Sequence, residues 1–287
     1  MLHLHAADLL DPNSFDAAFA DVEAVIHTAS PVNLLTAKNP QKELIEPAVQ
    51  GTEAVLQSVS RHPKIKRVVL TSSIAAVNNG EPLDRPLNES DWNNRTVLNY
   101  QTSKSLAEQK AWELAKNQSQ YSLIVINPGV IIGPNRSDRT GFFSYQLMHG
   151  LLSGRFRLCV PYMVMHLVDV RDVAEIHIRA LTETCAKGRY IAVSYEPTLL
   201  EMAKKIREMR PDLKWKLPWF TLPTFLAILF APLTGLSWKE AKTLLARSSH
   251  QDGYDGSKLR NDFSFSYLPL NKTLSDMAAS ISPPKKS

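Results

Sequence analysis

The stretch Arg67-Val68-Val69-Leu70-Thr71-Ser72-Ser73 decides the fold of this 287-residue chain. Its β-branched and leucine residues predict a buried strand, and the three hydroxyl residues after them predict the loop at the carboxyl end of that strand. Similar short runs predict strands at 2–6, 24–27 and 122–127, separated by longer amphipathic segments. This alternation is typical of a parallel sheet with helices on both faces, so we predict an α/β fold.

Proline residues mark where the early helices start and stop. The pairs Asp11-Pro12 and Asn39-Pro40 each predict a helix start, and the second helix should end at about residue 61, because Pro63 cannot continue its hydrogen-bond ladder. Further segments predict helices at 99–115, 168–181, 198–210, 238–246 and 274–280, and a late strand at 188–193.

The second half of the chain is less regular than the first. We predict a Rossmann-like, doubly wound domain over 1–194 and, mainly within 195–287, a smaller C-terminal lobe that binds substrate. The aromatic residues of this lobe favour an apolar substrate, among them Trp215, Trp219 and Phe220.

Composition excludes several classes of protein. Hydrophobic residues make up 44% and charged residues 21%, as in an ordinary folded protein. The net charge of +5 comes from scattered basic residues rather than from one dense block, which disfavours a nucleic-acid partner. Only two cysteines occur, Cys159 and Cys185, outside any metal-binding spacing, so we predict no metal site and a reduced, cytoplasmic protein.

One uncharged stretch is long enough to span a bilayer. It covers 217–238, but Pro218, Pro223 and Pro232 would break a single spanning helix. We therefore predict a buried or surface segment of the lobe, with membrane contact disfavoured.

Tyr100 and Lys104 lie four residues apart on a predicted helix, so their side chains share one face. A nearby ammonium favours the ionised form of a tyrosine phenol, which makes such a pair suitable for acid-base chemistry. Ser73, with Ser72 as the alternative, follows a predicted strand at the sheet edge where α/β proteins bind ligands. A solvated helix face and an ordinary strand-to-loop turn are the structural alternatives.

An ordered set of motifs resembles the extended short-chain dehydrogenases. The set is Asp8-Leu9-Leu10-Asp11, His27-Thr28-Ala29-Ser30-Pro31, Thr71-Ser72-Ser73, Tyr100-x-x-Ser103-Lys104, Asn127-Pro128-Gly129 and Val168-Asp169-Val170-Arg171-Asp172-Val173-Ala174. Within that family it is most similar to the dihydroflavonol 4-reductase and cinnamoyl-CoA reductase branch, and the resemblance covers nearly the whole chain.

The resemblance implies an oxidoreductase that transfers hydride between a nicotinamide cofactor, NADP(H) in preference to NAD(H), and a small-molecule carbonyl or alcohol. Ser73, Tyr100 and Lys104 would be catalytic, with Tyr100 as general acid and base. The cofactor-binding residues would be Asp8, Leu9, Thr28, Ala29, Tyr100, Lys104 and Pro128. Relatives with the same trio include sugar-nucleotide epimerases and 3β-hydroxysteroid dehydrogenases, so the reaction type stays open.

The family's glycine-rich phosphate-binding turn is absent from these 287 residues. Family members carry a Gly-x-x-Gly-x-x-Gly turn before a helix whose N-terminus binds the pyrophosphate. We therefore expect a sheet that lacks its first βαβ unit. The alternative to an enzyme is a non-catalytic binding or regulatory protein.

Overall fold

A computed structural model describes residues 2–32, 39–78, 83–94, 98–231, 238, 241–242 and 253–281. The strands are β1 (Ala24–His27), β2 (Arg67–Thr71), β3 (Ser122–Pro128), β4 (Val130–Ile132), β5 (Cys159–Pro161), β6 (Leu167–Asp169), β7 (Gly188–Ala192) and β8 (Phe220–Leu222). The helices are α1 (Asp16–Phe19), α2 (Glu46–Arg61), α3 (Asn99–Lys116), α4 (Phe143–Ser153), α5 (Val170–Thr182), α6 (Leu199–Met209), α7 (Thr224–Phe230), α8 (Ser257–Asp262) and α9 (Leu270–Ser280).

The central sheet has the strand order β1-β2-β3-β7, and every neighbouring pair is parallel. Arg67 of β2 pairs with Ala24 on one side and with Ser122 on the other, so the three strands start level with one another. Their carboxyl ends consequently lie along one edge of the sheet. The predicted α/β fold is confirmed, and three of the four early strands lie where the sequence placed them.

The two faces of the sheet are covered by different helices. Side chains of β2 alternate between the faces, so Val68 packs with Val59 of α2 and Ala111 of α3, whereas Val69 packs with Ile176 of α5. All five residues are fully buried. Helices on both faces explain why β2 and β3 are continuous apolar runs without a polar side.

The strand predicted at 2–6 is wrong. Residues 2–8 have no regular structure, and Leu2 and Leu4 are 85% and 88% exposed. Alternation of apolar residues predicts a strand only if a neighbouring strand completes its hydrogen bonds. Within the described ranges β1 stands at the end of the sheet and pairs only with β2, so residues 2–6 have no such neighbour.

The helix predicted at 168–181 begins two residues later than expected. Val168 pairs with Ile131 in the β4–β6 ladder, and Asp169 ends that strand. The Asp169 carboxylate then accepts a hydrogen bond from the Arg171 backbone N–H at 2.8 Å, which makes Asp169 the N-cap of α5.

Other helix boundaries confirm or refine the sequence prediction. The second helix ends at Arg61 as expected, after a π-helical turn at Gln41–Ile45 passes into α2, whose first turn accommodates Pro47. The helix expected from Asp11 begins only at Asp16, because the Asp11 carboxylate instead closes a turn with the Asn13 N–H at 3.0 Å. Helix α9 begins four residues before the predicted start at 274.

The C-terminal part of the chain packs in two places. Helices α6 and α9 share an apolar core with α4, β5 and β6, whereas Leu259 of α8 and the following Phe263 and Phe265 pack beside β7 of the central sheet. The boundary at residue 194 between the Rossmann-like domain and the C-terminal lobe stays a prediction. The helix predicted at 238–246 lies largely outside the described residues. No helix in the described part of the chain is both long and apolar enough to cross a membrane.

Candidate active site

Two of the three hydroxyl groups at the carboxyl end of β2 are held by helices on opposite faces of the sheet. The Thr71 Oγ1 lies 2.7 Å from Nε2 of His177 on α5. The Ser72 hydroxyl points the other way and donates to the Glu108 carboxylate of α3 at 2.6 Å. Ser72 is buried and its hydroxyl hydrogen is occupied, so it is poorly placed to bind a substrate.

Ser73 has the hydroxyl that is free to donate. It is extended, with φ −165° and ψ 156°, and its Oγ accepts a hydrogen bond from the Ala75 N–H at 3.1 Å. Acceptance uses an oxygen lone pair and leaves the hydroxyl hydrogen available. The Tyr100 phenol interacts with this side chain. The structure therefore brings together Ser73 and Tyr100, two of the residues that the sequence selected.

Burial shifts the pKa values of Tyr100 and Lys104 in opposite directions. Burial raises the pKa of the Tyr100 phenol, and the interaction with Ser73 partly offsets this by favouring the phenolate. Burial lowers the pKa of Lys104 to about 8. The Lys104 Nζ lies 5.8 Å from the centre of the Tyr100 ring. Both groups thus move away from their ordinary pKa because water is excluded from them.

Lys104 is a buried cation without a carboxylate partner among the described residues. Its side chain is only 7% exposed, and the ion pairs of that part of the chain do not include it. A buried ammonium is costly unless polar oxygens surround it. Hydroxyl groups of a bound ribose would supply such oxygens, so the residue present fits the nicotinamide end of the expected cofactor.

His27 ends β1 and lies near Lys104. Burial lowers the pKa of His27 to about 4, and the positive charge of Lys104 adds to this effect. The imidazole is therefore neutral at physiological pH. The sequence indicated only a strand-end residue at this position, whereas the structure makes His27 part of the wall beside Lys104.

A buried ion pair behind the site was missed by the sequence reasoning. Nε of Arg189 donates to the Glu108 carboxylate at 2.6 Å, and both side chains are almost completely buried. Asn127 donates to the same carboxylate at 2.8 Å. The signal available was a glutamate at helical spacing from Tyr100 and Lys104.

The predicted cofactor-binding residues fall into two groups. Thr28 and Ala29 follow β1 and are exposed, and Pro128 is the buried last residue of β3, so these three lie at the same sheet edge as Ser73. Asp8 and Leu9 form the second group and precede α1. The Asp8 carboxylate caps its own turn through the Leu10 N–H at 2.9 Å, and Leu9 packs against α2. A role of these five residues in cofactor binding stays a prediction.

A cavity in the C-terminal half of the chain does not include Ser73, Tyr100 or Lys104. It has a volume of about 590 Å³ and is lined mainly by polar side chains, among them Tyr162, His166, Glu196, Thr198 and Lys204. The lobe aromatics Trp215, Trp219 and Phe220 are instead half or more exposed at the surface. These aromatic residues do not line the cavity, so the cavity does not support the prediction of an apolar substrate.

Comparison with known proteins gives the family. The model of the NAD dependent epimerase/dehydratase family matches residues 1–193. The chain belongs to this family, which confirms the resemblance to extended short-chain dehydrogenases.

Individual relatives are reductases by name. Tetraketide alpha-pyrone reductase 1 of Arabidopsis thaliana is 36% identical over 219 residues, which is 74% of this chain. A cinnamoyl-CoA reductase of Medicago truncatula is 36% identical over 221 residues, again 74% of this chain. Both matches span 66% of the relative's own length, slightly less than two thirds.

Solved structures agree with the observed fold. Gre2 from Candida albicans in complex with NADPH is similar with a TM-score of 0.76 and 28% identity, over 95% of this chain and 81% of that one. The yeast methylglyoxal/isovaleraldehyde reductase Gre2 complexed with NADPH has a TM-score of 0.77 and 25% identity, over the same shares of 95% and 81%.

Proposed function

We propose that the chain is an NAD(P)H-dependent oxidoreductase that transfers hydride to or from a small-molecule carbonyl or alcohol, with Tyr100 as general acid and base. The observation that carries the proposal is the arrangement at the sheet edge. A serine hydroxyl that can donate meets a partly exposed tyrosine phenol, and a buried ammonium without a carboxylate partner in the described part of the chain lies one helical turn further along α3.

Each residue has a task that follows from its environment. In the direction of reduction, Ser73 donates a hydrogen bond to the carbonyl oxygen and holds it near the phenol. Tyr100 gives its proton to that oxygen as negative charge develops there. The ammonium of Lys104 favours the phenolate that remains, and so makes the proton easier to release.

The cofactor supplies the hydride when it is bound. Lys104 and Tyr100 would contact its nicotinamide ribose, Pro128 the nicotinamide, Thr28 and Ala29 the ribose and phosphate side, and Asp8 and Leu9 the adenine. We propose NADP(H) rather than NAD(H), since two similar structures hold NADPH. We also propose a cytoplasmic location, which the two unpaired cysteines support.

The first test is cofactor binding by the chain itself. We expect saturable binding in a fluorescence titration with NADPH, tighter than with NADH, and weaker binding by Lys104→Ala. A folded chain that binds neither cofactor would refute the proposal and favour the non-catalytic alternative.

The second test separates the chemistry from binding. Methylglyoxal and isovaleraldehyde are suitable probes, because a structurally similar reductase is named for them. Tyr100→Phe should keep the NADPH dissociation constant within about twofold and lower kcat by about 100-fold or more. The control is Tyr121→Phe, which removes a buried phenol next to the start of β3, at the opposite edge of the sheet. Equal kcat values for the two variants would exclude Tyr100 as the acid.

A further inference from the structure

The Glu108 carboxylate occupies a closed space directly behind the candidate site. Glu108 lies on α3 four residues after Lys104 and eight after Tyr100, so the three side chains form one stripe of the helix. Its side chain is 0% exposed, and its charge is balanced by Arg189, which is 6% exposed. A buried carboxylate needs this cation and further donors, because its other lone pairs cannot reach water.

The further donors come from residues beside Ser73. Ser72 Oγ donates to Glu108 Oε2 at 2.6 Å, and Asn127 Nδ2 donates to the same oxygen at 2.8 Å. Asn127 Nδ2 also donates to the Ser73 carbonyl oxygen at 3.1 Å. Both partners of this amide nitrogen are acceptors, so the orientation of the Asn127 side chain is determined.

These bonds hold Ser73 from both sides. The side chain of the preceding residue donates to Glu108, and the Ser73 carbonyl accepts from Asn127, which in turn donates to Glu108. A serine hydroxyl is only two bonds from its Cα, so fixing the backbone fixes the small set of positions that Oγ can take. The Ala75 N–H then selects one of them by its bond to Oγ.

We propose that Asn127 and Glu108 are positioning residues that place the Ser73 hydroxyl opposite the Tyr100 phenol. The proposal rests on the oxidoreductase function proposed above, since it concerns where that reaction's substrate oxygen is held. Neither residue touches the reacting atoms. Asn127 acts on the Ser73 carbonyl, and Glu108 holds both Asn127 and Ser72 in place.

The principal test is Asn127→Ala, which removes the bond to the Ser73 carbonyl and leaves the Glu108–Arg189 pair intact. Misplacing a substrate-orienting group by about 1 Å costs about 100-fold in rate, so kcat for methylglyoxal should fall by about 10- to 100-fold. The NADPH dissociation constant should stay within about twofold, because the affected residue orients the substrate and not the cofactor.

Ser72→Ala is the second variant and has a matched control. Ser72 and Ser58 are both buried, and each donates a 2.6 Å hydrogen bond to a carboxylate, the latter to Asp16. Ser58 lies near the end of α2, at the opposite edge of the sheet. Ser72→Ala should lower the melting temperature more than Ser58→Ala, because the Asp16 carboxylate is 37% exposed and reaches water whereas Glu108 does not. Only Ser72→Ala should lower kcat, by about 10-fold.

The pH profile adds a readout that a purely structural role would not change. The Ser73 interaction favours the Tyr100 phenolate, so displacing Ser73 should shift the low-pH limb of the kcat profile for alcohol oxidation, where Tyr100 acts as base, to higher pH. Lys104, which lies beside Tyr100, and His27, which lies near Lys104, are unchanged in these variants and cannot produce the shift.

The outcomes are distinct. If Asn127→Ala and Ser72→Ala match Ser58→Ala in kcat and in pH profile, the network only stabilises the fold and the proposal is overturned. If the wild-type chain neither binds NADPH nor reduces the probes, that result refutes the proposed function itself. The positioning role is then refuted as well, because it depends on that function. A selective loss of kcat with unchanged cofactor affinity supports the proposal.

Discussion

Replacing Lys104 by methionine should make the protein more stable and inactive. Methionine keeps nearly the length and the apolar body of lysine and removes the ammonium. The ammonium is buried without a carboxylate partner among the described residues, so in the free protein it is a cost to folding. The same charge is what the proposed chemistry requires, so stability and function oppose each other at this position.

The size of the effect follows from the shifted pKa. Burial lowers the pKa of Lys104 from 10.5 to about 8. At about 1.4 kcal/mol per pKa unit, this corresponds to roughly 3 kcal/mol of stability lost while the group is charged. Lys104→Met should therefore raise the free energy of unfolding by about 3 kcal/mol at pH 7, or the melting temperature by roughly 6 °C.

The effect depends on pH in a defined direction. Below pH 8 the lysine is protonated in both the folded and the unfolded chain, and the folded chain bears the full cost. Between pH 8 and 10.5 the folded chain has released the proton and the unfolded chain still holds it. The unfolded state then binds more protons, so wild-type stability rises with pH. The difference between wild type and variant should shrink through this window.

Urea denaturation at pH 7, 9 and 10.5 measures both the size and the direction, with the exposed Lys42→Met as control. The reasoning is refuted if Lys104→Met is less stable than wild type at pH 7, or if the difference between them is the same at all three pH values.

Two further substitutions test the packing behind the site. Arg189→Met leaves the Glu108 carboxylate buried without its cation and removes the stacking of Arg189 on Trp92 at 4.0 Å. It should cost about 3–5 kcal/mol in urea denaturation, and a loss below about 1 kcal/mol would contradict a buried, charged Glu108. Gly129→Ala would place a Cβ against the His166 carbonyl oxygen, which is backbone and cannot rotate away. A loss of about 2 kcal/mol is expected, and a melting temperature equal to that of wild type would show that the two segments are not in such close contact.

The parallel sheet was predictable because its signal is local. A run such as Val68-Val69-Leu70 is apolar on both faces, and only a strand covered by helices on both sides buries all of it. The prediction of a strand at 2–6 was wrong because a local pattern does not show whether a neighbouring strand is present to pair with it. Its leucines alternate correctly, yet no described strand pairs with them.

The sequence by itself determined that Tyr100 and Lys104 share one face of a helix, since their four-residue spacing is a property of helical geometry. Only the tertiary structure decided what each hydroxyl after β2 contacts. Ser72 and Ser73 are chemically identical neighbours, and they differ only in what the fold places beside each hydroxyl. One meets the buried Glu108 and the other meets Tyr100. The partners are 36 and 27 residues away in the sequence, and only packing of α3 against the sheet brings them together.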